Sequence, residues 1–154
     1  MKKGILIWSV VLLISVAAFI YLLGEYNNKK TFVKPSFDEN AVEGTPTVSE
    51  EMSYESLDAE GLYSVSLCGK PIIEDNKLKI YLTSSEDNNI YIKARVYKID
   101  KVIGESGLIK PNEYIENIGV KNVKKGDTLT VKIMGYDKDN YYSAGVINVE
   151  LVVE

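Results

Sequence analysis

From Gly61 to the C-terminus, apolar residues return at every second position, and this period restricts the fold more than any other feature of the chain. In residues 62–68 the alternate side chains Tyr63, Val65 and Leu67 make one face. Residues 77–83 repeat it with Leu78, Ile80 and Leu82, placing Lys77 and Lys79 opposite. Residues 90–97 set Ile90, Ile92, Ala94 and Val96 inward, with Tyr91, Lys93, Arg95 and Tyr97 outward. Leu129, Val131 and Ile133 form a fourth row, and Ile147, Val149, Leu151 and Val153 a fifth. Side chains alternate across a strand, so such rows describe antiparallel strands with one wet face. Turn-forming clusters fall between them: Gly69-Lys70-Pro71, Asp75-Asn76, residues 86–89, Lys110-Pro111-Asn112, Lys125-Gly126-Asp127 and residues 137–140.

Weaker strands near 101–105 and 114–120 bring the expected number to about seven, and no window has a helical period. The expected fold is therefore mainly β: an Ig-like antiparallel β-sandwich of about seven strands over residues 61–154. A small barrel is the alternative. The Cys…Trp…Cys pin of antibody domains is absent, because Cys68 is the sole cysteine and Trp8 lies in the N-terminal apolar run. One stretch is more specific. Gly107-Leu108-Ile109-Lys110-Pro111-Asn112 leads through Ile115, Ile118 and Val120 to Lys125-Gly126-Asp127 and the row Leu129, Val131, Ile133. It resembles segments of extracytoplasmic Ig-like or fibronectin-type modules, including CARDB-like domains. Asn112 stands where such segments usually carry glycine, and asparagine tolerates the left-handed conformation. The resemblance implies a binding or spacer module and transfers no catalytic residue.

The first 60 residues differ in kind. Ile5 to Leu23 is an apolar run without charge, Gly, Pro, Asn or Gln, with Trp8 near one end and Tyr21 near the other. At 1.5 Å per residue it reaches about 28 Å, the thickness of a bilayer core. Residues 1–23 are thus expected to form a transmembrane signal-anchor, N-terminus cytoplasmic and C-terminal domain extracytoplasmic; secretion after signal cleavage is the alternative. Residues 24–60 carry a net charge of −6 with scattered hydrophobics, and read as an extended acidic stalk. Thr47 and Glu50 have capping-box spacing, compatible with a short helix to about Ser56. Residues 1–23 contribute +2 and residues 61–154 balance to zero, so the net −4 of the chain comes wholly from outside the expected sandwich. The arrangement resembles short membrane-anchored surface proteins of Gram-positive bacteria.

The composition removes much chemistry. No histidine exists in the chain, which excludes His-based nucleophilic triads and His-ligated metals. One cysteine excludes an intrachain disulfide. Without a basic excess, nucleic acid is not an expected partner. No catalytic residue and no cofactor is assigned. Asp137, Asp139 and Asn140 begin like a calcium loop, but the sixth position is Tyr142 and the twelfth Asn148. This departs from the Gly and Glu of an EF-hand and leaves at most a loose surface metal site. The aromatic residues point elsewhere. Tyr81, Tyr91, Tyr97 and Tyr136, interleaved with Lys93 and Arg95, fall on outward parities and form the candidate binding face.

The expected function is a membrane-anchored extracytoplasmic binding or adaptor module without catalytic activity. Its expected partner is a protein or a cell-envelope glycan. An enzyme or enzyme inhibitor acting through the sandwich loops, or a structural spacer subunit of a membrane complex, are the alternatives.

Overall fold

A computed structural model describes Leu12, residues 14–22 and residues 32–154, and divides the chain into two units, 1–33 and 34–154. In the first unit, Leu12 and residues 14–22 are helical, and Phe19, Ile20 and Leu22 are exposed. No helix among the described residues is long and apolar enough to cross a membrane. Ile5, Trp8 and Leu23, which bound and mark the expected anchor, lie outside the described residues.

The second unit holds ten strands in two antiparallel sheets: β1 (Val42–Glu43), β2 (Tyr54–Asp58), β3 (Ser64–Cys68), β4 (Ile72–Glu74), β5 (Lys77–Ser84), β6 (Ile90–Lys98), β7 (Lys101–Glu105), β8 (Glu113–Gly119), β9 (Thr128–Asp137) and β10 (Ser143–Val152). One sheet runs β1-β8-β5-β3-β2 with β4 also on β5, and the other runs β10-β9-β6-β7. The alternating rows read from the sequence become the two inner faces. Val65, Leu67, Leu78, Ile80, Leu82, Ile115 and Ile118 from the first sheet join Ile92, Ala94, Val96, Leu129, Val131, Ile133 and Leu151 from the second in one buried cluster. Burying apolar area at roughly 25 cal/mol per Å² makes this shared core the main stabilising term.

Turn chemistry fixes the connections. Asp75-Asn76 and Ile99-Asp100 hold positive φ at both central positions, the geometry of two-residue hairpins. Asn112 has φ 60, the left-handed turn position expected of it. Tyr81, at φ 49, sits where the β5–β8 register slips between Lys79 and Leu82. This bulge accompanies a change of partner along β5, from β4 at Lys77–Lys79 to β3 at Thr83–Ser84.

Three expectations change here. The boundary at 60/61 cuts a hairpin: β2 pairs along its whole length with β3, and Met52 is buried. Residues 34–60 thus belong to the sandwich unit rather than to a spacer, because β2 takes its ladder bonds from β3 and β1 pairs with β8. The capping-box helix is only a 3-10 turn, Glu50–Met52, and Ser49 makes no side-chain cap there. Ten strands replace seven, because β1 and β4 are only two and three residues long and β2, Tyr-Glu-Ser-Leu-Asp, carries no alternating apolar row.

Candidate functional site

β6 carries the candidate face. Its even-numbered residues enter the core, which leaves Tyr91, Lys93, Arg95 and Tyr97 on the outer surface of the four-stranded sheet. β9 lies beside it in register, pairing Tyr91 with Tyr136, Lys93 with Met134, Arg95 with Lys132 and Tyr97 with Thr130. Neighbouring strands present directly opposed residues on the same face, so Tyr136 and Lys132 join the row. Tyr81 does not. It belongs to β5 in the other sheet, where its hydroxyl faces Glu116 at 3.5 Å and Lys79 lies 5.7 Å from its ring. Equal outward parity in two sheets of a sandwich means opposite sides of the molecule.

The charges on this face are organised by Glu105, which the β6–β7 register sets opposite Arg95. Its carboxylate meets Arg95 Nε at 2.9 Å and Lys93 Nζ at 3.2 Å. Partial burial works to raise the Glu105 pKa, but hydrogen bonds from Arg95 and Lys93 outweigh it and hold the carboxyl below its ordinary value. The bond to Glu105 in turn raises Arg95. Lys93, with only 12% of its side chain exposed, is therefore a positioned ion-pair partner rather than a free cation. Lys132, across from Arg95, has no ion pair among the described residues.

Toward the other end of β6 the face becomes aromatic. The Tyr91 and Phe37 rings meet at right angles, centroids 5.0 Å apart, and Tyr91 lies 6.1 Å from Tyr141. Lys110 stands over Phe37 at 5.0 Å, and Lys34 over Tyr141 at 4.6 Å. The Tyr136 hydroxyl turns to the Met134 sulfur at 3.6 Å. Phe37 reaches this position because residues 36–38 run beside Gly107-Leu108. Leu108 N–H donates to Ser36 and Asp38 N–H donates to Leu108, both at 2.9 Å, and Gly107 N–H donates to the Asp38 carboxylate at 2.8 Å. A side chain at Gly107 would lie 2.5 Å from the Asp38 nitrogen, so only glycine admits the segment. Sequence reasoning missed Phe37, Lys34, Lys110 and Glu105; none of them lies on an apolar row whose parity points to this surface.

The remaining candidates take other roles. The Asp137 carboxylate accepts from the amides of Asp139 and Asn140 at 2.9 and 3.1 Å, and Asn140 Oδ1 accepts from Tyr142 N–H at 2.8 Å. These oxygens turn the β9–β10 hairpin, as Asp and Asn side chains commonly do. Among the described residues no three His, Cys, Asp or Glu gather to hold a metal. Cys68, on the outward parity of β3, is nevertheless buried, because Gly69 and Lys70 dock onto the backbone of Ser53 and Met52 there. Burial pushes its thiol up to about 11. A groove of about 760 Å³ between β7 and the exit of β8 is lined by Asn76, Val102, Gly104, Gly119 and Lys121, with Glu105 as its one carboxylate. It offers no carboxylate pair for acid–base hydrolysis.

Fold and face together describe a mainly-β protein of two antiparallel sheets with a cationic and aromatic outer surface. Comparison with known protein families, with curated proteins and with solved structures finds no match to this chain.

Proposed function

We propose that this chain is a non-catalytic recognition module, Ig-like in architecture, that presents the outer face of β6 and β9 to a protein or cell-envelope glycan. One observation carries the reading: Tyr91, Lys93, Arg95 and Tyr97 lie in register beside Tyr136 and Lys132 on one continuous sheet face. Rigid rings stack on sugar rings or apolar side chains at low entropic cost, and guanidinium and ammonium groups add directional donors. The Glu105 pairs hold Lys93 and Arg95 in place before a ligand arrives, which lowers the ordering cost of binding. The apolar run 5–23, helical where described, supports tethering at a membrane with the sandwich outside the cytoplasm.

The full chain with a C-terminal tag, cross-linked in intact cells and captured, tests the assignment. Tyr97→Ala and Arg95→Ala should lose a partner protein or glycan that the unaltered chain retains, whereas Tyr81→Ala, on the opposite sheet, should retain it. Equal loss in all three, or in none, sinks the face. Protease treatment of intact cells tests location separately: cleavage within residues 34–154 is expected, and protection in cells stripped of wall overturns the extracytoplasmic placement.

A further inference from the structure

Five strands lie at sheet edges, β1, β2, β4, β7 and β10, and four of them are guarded, β4 by its length of three residues and by Glu74. β1 is two residues long, β2 carries Glu55 and Asp58, and β7 carries Lys101 and Glu105 while its Ile103 carbonyl is taken by the Lys121 amide at 3.1 Å. Short, charged or covered edges are how soluble sheets avoid pairing with strangers. β10 has none of these protections. It runs ten residues without proline, holds a single charge at Glu150, and leaves Val146 and Val152 41% and 51% exposed. Among the described residues, no backbone–backbone hydrogen bond outside the ladder with β9 involves Ser143–Val152.

The free groups can be assigned. Val153 N–H donates to the Asp127 carbonyl at 3.0 Å, and Ile92 exchanges bonds with Ile109 on the β6 edge away from β9. Antiparallel ladders alternate, so Ile147, Val149 and Leu151 bond inward to Ile133, Val131 and Leu129. Val146, Asn148, Glu150 and Val152 then present N–H and C=O to the open side. These four are self-complementary under a two-fold axis through Val149: Val146 faces Val152, Asn148 faces Glu150, and Ile147 faces Leu151 on the core side. Every open donor meets an acceptor, apolar meets apolar, and no glutamate opposes a glutamate.

We propose that β10 is a homodimer edge, pairing antiparallel with β10 of a second copy about Val149 and joining the two four-stranded sheets into one. The pairing is independent of what the β6–β9 face binds, and it doubles that face across a single continuous sheet. An axial Val149 pair is non-hydrogen-bonded, with Cα atoms about 4.5 Å apart, within disulfide reach.

Cysteine substitution in the full chain reads the register, with native Cys68 as the buried control. Val149→Cys alone should form a disulfide-linked dimer under mild oxidation. Asn148→Cys and Glu150→Cys should each fail alone and cross-link when mixed. Adding Val146→Lys, at an already exposed position, should abolish the Val149→Cys dimer while reduced protein keeps its unfolding transition. Absence of the Val149→Cys dimer in folded protein overturns the proposal, as does equal cross-linking at all three positions or a dimer that survives the lysine. Hydrogen exchange supplies a second readout on the native chain. Protection of the Val146, Asn148, Glu150 and Val152 amides that fades on dilution supports the pairing; protection independent of concentration, without cross-linking, assigns the edge to another segment and also overturns it.

Discussion

The rings of Phe37 and Tyr91 pack perpendicular to one another, centroids 5.0 Å apart and planes at 87°. This contact joins residue 37, outside any named strand, to β6, an inner strand of the four-stranded sheet, and it shapes one end of the candidate binding face. An edge-to-face pair contributes about 0.5–1.5 kcal/mol beyond the area it buries. Phe37→Ala should therefore lower unfolding free energy by about 1–3 kcal/mol, since the ring is half-buried rather than enclosed. A double-mutant cycle with Tyr91→Ala, followed by urea denaturation, should return a coupling of about 0.5–1.5 kcal/mol. Zero coupling would show that the rings meet without holding the segment.

Gly107 decides whether residues 36–38 can lie where they do. Gly107→Ala would drive a methyl group into the Asp38 backbone, so we expect a loss of about 1–3 kcal/mol and faster proteolysis near Phe37. Gly119→Ala makes a matched control, because its added Cβ meets nothing within 4 Å. That variant should stay within about 0.5 kcal/mol of the native chain. Equal effects of the two would remove the steric argument.

Asp127 gives the protein an acid-side dependence. Lys98 Nζ lies 2.6 Å from its carboxylate and the Lys124 amide donates at 2.7 Å, and together they hold its pKa below the ordinary 3.8. A carboxyl depressed in the folded state contributes stability that is present above the unfolded pKa and lost as pH falls through the folded one. Thermal melts from neutrality to below pH 3.8 should show this loss, and Asp127→Asn should flatten it while lowering the plateau above it.

Cys68 works in the opposite direction. Its thiol stays neutral in the fold up to about pH 11, whereas its ordinary value is 9.0. The raised pKa stabilises the fold only while the thiol is protonated. That contribution declines as pH rises from about 9 through 11. A thiol reagent should label Cys68 slowly in native protein and at once in denaturant. Cys68→Ala should lose less stability than the native chain across the same alkaline interval. Rapid labelling of the native protein would contradict its burial.

The period-2 rows were legible because each records a local property: a strand in a two-sheet protein turns alternate side chains to the core whatever pairs with it. That made β3, β5, β6, β9 and β10 readable, together with the inward residues Leu78, Ile80, Ile92, Val131 and Ile133. The outward parity of Tyr91, Lys93, Arg95, Tyr97 and Tyr136 followed for the same reason. Parity does not say which sheet a strand joins, and so Tyr81 looked equivalent to Tyr91 until pairing placed it on the far side. A strand with no buried row leaves no period to read, which hid β2, as long as β3, in an acidic stretch where β3 supplies its hydrogen bonds. Tertiary structure alone brought Phe37 onto Tyr91, set Glu105 between Lys93 and Arg95, and left β10 with an open edge. Those relationships join residues distant along the chain, and their energy comes from contacts that exist only after the two sheets have closed on their shared core.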